Sequence, residues 1–102
     1  MKVTLVANRV KYYSMEDERV FFGWLKRLHC VEKIFGVGTE LHIVIRVNKL
    51  PQQDILELIA IFRRYRIKIE QLAQLRGPEN EEWFEGNRKK FWYRRLFPEE
   101  GK

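Results

Sequence analysis

The strictest pattern in this sequence is the period-two alternation of residues 40–47. One side of that segment carries Leu41, Ile43, Ile45 and Val47, and the other carries Glu40, His42, Val44 and Arg46. Because side chains of a strand point alternately to opposite faces, the pattern predicts a strand with one covered face, typical of an antiparallel sheet. The glycines of residues 36–39 predict a hairpin turn, and residues 31–35 predict the partner strand.

Two further segments carry apolar residues at helical spacing, and they predict helices over residues 15–28 and about 51–65. The apolar stripes consist of Phe21, Phe22, Leu25 and Leu28 in the first segment and of Ile55, Leu58, Ile59 and Phe62 in the second. Acidic residues come near the start of each segment and basic residues near its end, as the helix dipole favours. Residues 2–13 predict a first strand, and the weaker alternation of residues 67–75 predicts a fourth.

The predicted order of elements is β-α-β-β-α-β, the ferredoxin-like arrangement of an α+β domain. It implies an antiparallel sheet with two helices on one face. The chain has 102 residues, which predicts a single domain over 1–102. Its parts are the core over 1–75, a C-terminal helical extension over 76–97 and a frayed tail over 98–102. Within the extension we expect a helical turn at 81–84 and a helix at 88–97.

The formal net charge of +6 and the pI of about 9.7 favour an anionic partner. Nucleic acid, an acidic protein face and an anionic membrane surface all fit, and a basic surface that only aids solubility is the plain alternative. No apolar run approaches the roughly 20 residues of a membrane helix, and the apolar start is too short for a secretory signal. A single cysteine, Cys30, excludes an internal disulfide framework. These features predict a cytoplasmic protein without a membrane partner.

Few side chains in the sequence are suited to catalysis. His29 and Cys30 are neighbours whose side chains diverge on a helix or strand, and His42 stands apart from both. We interpret all three as structural residues, since their spacing matches no zinc site. The glycines of residues 36–38 lack the Lys-Ser/Thr and helix start of a phosphate loop. We therefore expect no enzyme activity, metal, cofactor or small-molecule substrate.

Two basic groups are the strongest indication of binding. The first comprises Arg63, Arg64, Arg66 and Lys68, and the second comprises Arg88, Lys89, Lys90, Arg94 and Arg95, with Phe91, Trp92 and Tyr93 interleaved. Such residues could neutralise phosphates and stack on unpaired bases. We favour the other interpretation, in which most of the aromatic residues dock the last helix on the sheet. The strands also lack the aromatic signature of RNA-recognition domains.

Three stretches together resemble small bacterial immunity proteins of contact-dependent growth inhibition and other polymorphic toxin systems. They are residues 16–25 (EDERVFFGWL), residues 64–75 with RYRI and QLAQL at their ends, and residues 91–97 (FWYRRLF). The resemblance implies a cytosolic protein that binds one cognate toxin domain and blocks its activity without catalysis. It supplies no contact residues, because partner surfaces differ among such families. Immunity proteins against nucleases are often acidic, so this basic chain would need an acidic toxin face or a local acidic patch such as Glu79, Glu81, Glu82 and Glu85.

The leading hypothesis is accordingly a toxin-neutralising protein that uses the edge at residues 63–68 and the charged C-terminal segment. The expected partner-binding residues are Arg63, Arg64, Arg66, Lys68, Glu82, Glu85, Arg88, Lys89, Lys90, Arg94 and Arg95. The alternative is a basic RNA- or DNA-binding module. A third hypothesis, a small basic ribonuclease, lacks a convincing acid–base pair.

Overall fold

The computed structural model describes residues 1–100. Its strands are β1 (Lys2–Asn8), β2 (Val31–Val37) and β3 (Glu40–Arg46), and its α-helices are α1 (Met15–Lys26), α2 (Gln52–Arg64), α3 (Glu81–Glu85) and α4 (Phe91–Leu96). Two 3-10 helices span Val47–Lys49 and Ile69–Leu75, and the second is called the 3-10 segment below. No helix in residues 1–100 is long and apolar enough to cross a membrane.

The three strands form one antiparallel sheet in the order β1-β3-β2. Ile43 of β3 lies between Leu5 of β1 and Ile34 of β2, so the alternating segment forms the central strand of the sheet. The β2–β3 hairpin turns at Gly38, whose φ of 60° lies in the left-handed region that glycine adopts without steric cost. The α+β class and the hairpin are thus confirmed, while β1 is shorter than the predicted 2–13.

Helices α1 and α2 cover one face of the sheet. The fully buried core joins Leu5, Ala7, Ile43 and Ile45 of that face to Phe21, Leu25, Ile55, Leu58 and Phe62 of the two helices. Ser14 caps α1, because its hydroxyl accepts a hydrogen bond from the Asp17 amide at 3.1 Å. The two helix predictions are therefore confirmed to within two residues at each end, as amphipathic periodicity allows.

The predicted fourth strand over residues 67–75 is wrong, since Ile69–Leu75 is a 3-10 helix. Its buried residues Ile69, Leu72 and Leu75 recur every third position, which matches the three-residue turn of a 3-10 helix and not the two-residue period of a strand. The described sheet therefore has three strands where the ferredoxin-like prediction required four.

One side chain of the 3-10 segment bonds to the outer edge of β1. The Gln71 amide accepts a hydrogen bond from the Val6 N–H at 2.7 Å through Oε1 and donates one to the Val6 carbonyl at 2.8 Å through Nε2. A neighbouring strand would make the same pair of bonds. Gln71 therefore satisfies the backbone of β1 at one residue and fixes the 3-10 segment to the sheet.

The C-terminal extension contains both predicted helical pieces, and the second is shorter than expected because it starts at Phe91 rather than at residue 88. Trp92, Tyr93 and Leu96 of α4 are buried in the core, and α4 packs mainly on the 3-10 segment. Glu100, in the predicted frayed tail, binds Arg76 and Arg88, so this part of the tail is attached. The rest of the predicted tail, 101–102, lies outside the described residues.

Candidate binding surface

The end of α2, the turn that follows it and the side of α4 enclose a surface pocket of about 360 Å³. Its charged lining consists of Arg63, Arg66, Lys68 and Arg95. Phe62, Ile67 and Ile69 form the apolar part of its wall. The pocket therefore unites members of the two basic groups that the sequence separates by more than twenty residues.

Arg63 is positioned by an aromatic ring. Its guanidinium carbon lies 4.2 Å from the centroid of Phe91, which is a close cation–π contact. Phe91 itself is 59% exposed, so the contact sits at the surface. Stacking covers one face of the planar guanidinium and leaves the N–H donors at its edge able to bind an acceptor.

Arg95 reaches the pocket from α4 and is paired with a carboxylate. Its Nη2 and Nε lie 3.1 and 3.3 Å from the same oxygen of Glu70. The backbone N–H of Glu70 and the nearby Arg95 lower the pKa of this carboxyl, so it stays ionised at neutral pH. Glu70 thus ties α4 to the 3-10 segment and partly offsets the charge of Arg95.

Arg66 stands in the turn that ends α2 with a left-handed backbone, φ 57°. The Ile67 N–H donates to the Phe62 carbonyl at 2.7 Å and the Arg66 N–H donates to the Arg63 carbonyl at 3.3 Å. These two bonds define a Schellman motif, in which glycine is the usual residue at the left-handed position. An arginine there places a cation at the pocket at a steric cost.

Arg64 lies apart from the pocket although it adjoins Arg63 in the sequence. The backbone N–H of Tyr13 is the main cause that lowers the pKa of Asp17 in α1, and the charge of Arg64 adds to that effect. Burial raises the pKa of Tyr65, and Arg64 opposes this rise. The Tyr65 hydroxyl also donates to Asp17 Oδ1 at 2.9 Å. The structure therefore divides the first basic group, because Arg64 does not line the pocket that Arg63, Arg66 and Lys68 share.

Two of the four carboxylates of the possible acidic patch, Glu81 and Glu85, are paired with Arg76, whose side chain is only 13% exposed. Its guanidinium lies 2.7 Å from Glu81, 3.0 Å from Glu85 and 3.0 Å from Glu100. The hydrogen bond with Glu81 is the main reason why the pKa of Arg76 is raised. The sequence analysis gave Arg76 no role, because its partners come from separate parts of the extension.

The same cluster accounts for two of the predicted contact residues. Arg88 lies 3.0 Å from Glu85 and 3.3 Å from Glu100, and it also contacts the Tyr93 hydroxyl. Glu85 and Arg88 thus hold the extension together. The remaining predicted residues are exposed on the extension: Glu82, Lys89, Lys90 and Arg94. Among the ion pairs of residues 1–100, none involves these four side chains.

The aromatic residues of the extension behave mostly as the docking interpretation predicts. Trp92 stacks on Trp83 with ring centroids 5.7 Å apart, and Tyr93 is almost fully buried. They pack against the 3-10 segment and α3 instead of against the sheet. Phe91 is the exception, because it is exposed beside Arg63.

The histidines and the cysteine are not brought together as a reactive set. Cys30 is fully buried, and burial raises the pKa of its thiol to about 12. His42 lies 3.1 Å from Glu40 and packs on the ring of Phe35. Within residues 1–100 no group of three or more His, Cys, Asp or Glu side chains is placed to hold a metal ion.

A larger cleft of about 800 Å³ lies near the N-terminus, between residues 47–52 and 77–80. Met1 and His29 complete its lining. None of the predicted partner-binding residues lines it, so the basic pocket is the candidate site that the sequence and the structure share.

No protein-family model, curated protein or solved structure matches the chain.

Proposed function

We propose that this chain is a non-catalytic cytoplasmic protein that neutralises a bacterial toxin domain by binding it, as the resemblance to immunity proteins implies. The observation that carries the proposal is the basic pocket. Three of its cations, Arg63, Arg66 and Lys68, have no carboxylate partner among the ion pairs of residues 1–100. Unpaired cations at the end of α2 and in the turn that follows it suit an acidic face of a partner.

The pocket combines two properties of protein interfaces. Its charge would steer an acidic partner and speed association. Phe91 and Arg63 form an exposed aromatic–guanidinium pair, and aromatic and Arg side chains are frequent anchors of protein interfaces. Lys89, Lys90 and Arg94 would extend the basic surface around this anchor. Glu85 and Arg88 would act indirectly, by holding the extension in place.

The test uses the tagged chain as bait in a lysate of its host, treated with nuclease. A double charge reversal, Arg63→Glu with Arg66→Glu, should weaken capture of a stoichiometric protein at least about tenfold. The matched control is Lys26→Glu with Arg27→Glu, which makes the same charge change at the end of α1. The captured protein should also inhibit growth when expressed alone and be harmless when co-expressed with the wild-type chain.

Equal loss of capture in the control variant would show that only net charge matters and would contradict the assignment of the pocket. A captured protein that causes no growth inhibition would refute the toxin-neutralising role. Both readouts are needed, because capture alone does not identify a toxin.

The second candidate function is a nucleic-acid-binding module, favoured by the same pocket and by the exposed Phe91. Because Trp92 and Tyr93 are buried, Phe91 is the aromatic residue of 91–93 that is exposed for stacking on a base. This hypothesis predicts that binding of an oligonucleotide weakens steeply with salt, with a log–log slope of about −0.9 per duplex phosphate contacted. Fluorescence anisotropy with a labelled oligonucleotide would measure the slope, and a flat dependence would dismiss the hypothesis.

We also infer that the fold derives from the ferredoxin-like arrangement. The strand order β1-β3-β2 leaves the outer edge of β1 for a fourth strand, and Gln71 of the 3-10 segment bonds to that edge. The 3-10 segment would then be a substitute for the fourth strand.

A further inference from the structure

The basic pocket has a chemical preference that the toxin-binding proposal does not specify. Four cationic side chains surround a space of about 360 Å³, which is near the lower limit of ligand pockets in proteins. One carboxylate, Glu70, is paired with Arg95. The excess positive charge is therefore concentrated around a small space instead of being spread over a flat face.

The backbone conformation of Arg66 also supports a binding role for the pocket. Arg66 holds a left-handed conformation that glycine would adopt with less strain. Strained residues of this kind cluster at ligand-binding sites, where the surrounding structure over-determines them. The two Schellman bonds around Arg66 provide that restraint, so its Cα is fixed while its side chain remains exposed at the pocket.

The number of cations distinguishes between oxyanions. A carboxylate offers one charge and two oxygens, and it can satisfy one guanidinium in a bidentate pair. A phosphate group carries close to two charges and three acceptor oxygens. Arg63, Arg66 and Lys68 together match the larger group, with Arg63 held in place by Phe91 and Arg95 held by Glu70.

We propose that this pocket is a phosphate-binding site, in which Arg63, Arg66 and Lys68 bind the phosphate oxygens. Arg95 contributes positive charge from the rim, and its ion pair with Glu70 positions α4. The phosphate group is a terminal one, carried either by a small phosphorylated molecule or by the end of a nucleic-acid chain. The site is a property of the free chain and does not depend on the toxin-binding proposal.

The test is a titration of the wild-type chain with inorganic pyrophosphate at low ionic strength, followed by calorimetry and by amide chemical shifts. We expect saturable binding, with shift changes concentrated in residues 62–69 and around Arg95. The variant Arg66→Gly with Lys68→Gln keeps the left-handed turn and should weaken pyrophosphate binding at least about tenfold. The variant Lys26→Gln with Arg27→Gln removes equal charge from the other end of the helix pair and should bind as the wild type does.

A second titration with a short single-stranded oligonucleotide that carries a 5′-phosphate identifies the source of the phosphate. Tighter, pocket-dependent binding of this oligonucleotide supports the phosphorylated end of a nucleic-acid chain, and pocket-dependent binding of pyrophosphate alone supports a small phosphorylated ligand. Absence of pyrophosphate binding overturns the proposal, as do equal losses in the two variants or shift changes centred on residues 89–94. None of these results bears on capture of a toxin, so the two proposals fail separately.

Discussion

Replacing Arg66 with glycine should stabilise the fold although it removes a charged side chain from the pocket. Arg66 has φ 57°, and the left-handed conformation costs a residue with a Cβ roughly 1–2 kcal/mol. Glycine avoids that cost but gains about 0.4–1 kcal/mol of additional entropy in the unfolded chain. The middles of these two ranges leave a net stabilisation of about 0.8 kcal/mol, or roughly 3–6 °C in Tm for a domain of this size.

Urea unfolding followed by circular dichroism measures this change, with the midpoint and the slope fitted together. Arg66→Ala is the matched control, because it removes the same charge but keeps the Cβ. Any relief of repulsion among the pocket cations appears in both variants, so the difference between them isolates the backbone contribution.

Equal stability of Arg66→Gly and Arg66→Ala would refute the reasoning, since it would show that the cost of the left-handed conformation does not exceed the entropy that glycine adds to the unfolded chain. A loss of stability in Arg66→Gly would refute it as well. The expected result, a more stable variant that binds phosphate more weakly, would show that the turn retains an arginine for binding at the expense of stability.

Three further predictions concern the rest of the molecule. Gln71→Ala should lower the free energy of unfolding by about 1–3 kcal/mol and speed exchange of the Val6 amide proton, because both polar groups of Val6 lose their partner. Arg76→Met should cost about 2 kcal/mol in urea unfolding, whereas Arg88→Met should cost less than about 1 kcal/mol because its ion pairs are exposed. Cys30 should resist thiol reagents at pH 8–9 in the native protein and react once urea unfolds it, since burial raises the pKa of its thiol to about 12 and the thiolate is the reactive form.

Each of these has a result that would contradict it. Unchanged exchange at Val6 in Gln71→Ala would mean that the side-chain amide does not protect the edge of β1. Equal costs for Arg76→Met and Arg88→Met would mean that burial of Arg76 adds nothing. Rapid labelling of native Cys30, at the rate of the unfolded chain, would mean that the thiol is accessible.

The helices and the hairpin could be predicted because their signals are local. The apolar residues of α1 and α2 repeat with the helical period, and those of residues 40–47 repeat with the strand period. The type of each element therefore follows from the spacing of its apolar residues. The 3-10 segment was mistaken for a strand because Ile67 and Ile69 alternate before the three-residue spacing of Ile69, Leu72 and Leu75 begins. A short mixed run of this kind does not distinguish the two periods.

The candidate site could be predicted only in part. Its residue types were evident, since Arg63, Arg66, Lys68 and Arg95 all belong to the two basic groups. The sequence did not show which members of these groups share the pocket, because neighbouring residues on a helix point in different directions. Arg63 contacts Phe91 and lines the pocket whereas Arg64 does not, and Arg88 is held by carboxylates of the extension.

By itself, the sequence determined the α+β class, the positions of α1, α2 and the β2–β3 hairpin, and the basic character of the surface. The tertiary structure decided the edge of β1, where Gln71 replaces a strand, and the identity of the pocket residues. The physical reason is the range of the interactions. The periods of helices and strands relate residues within a few positions of one another, so they can be read from the sequence. The contacts of Arg63 with Phe91 and of Glu70 with Arg95 form only after the elements have packed against each other.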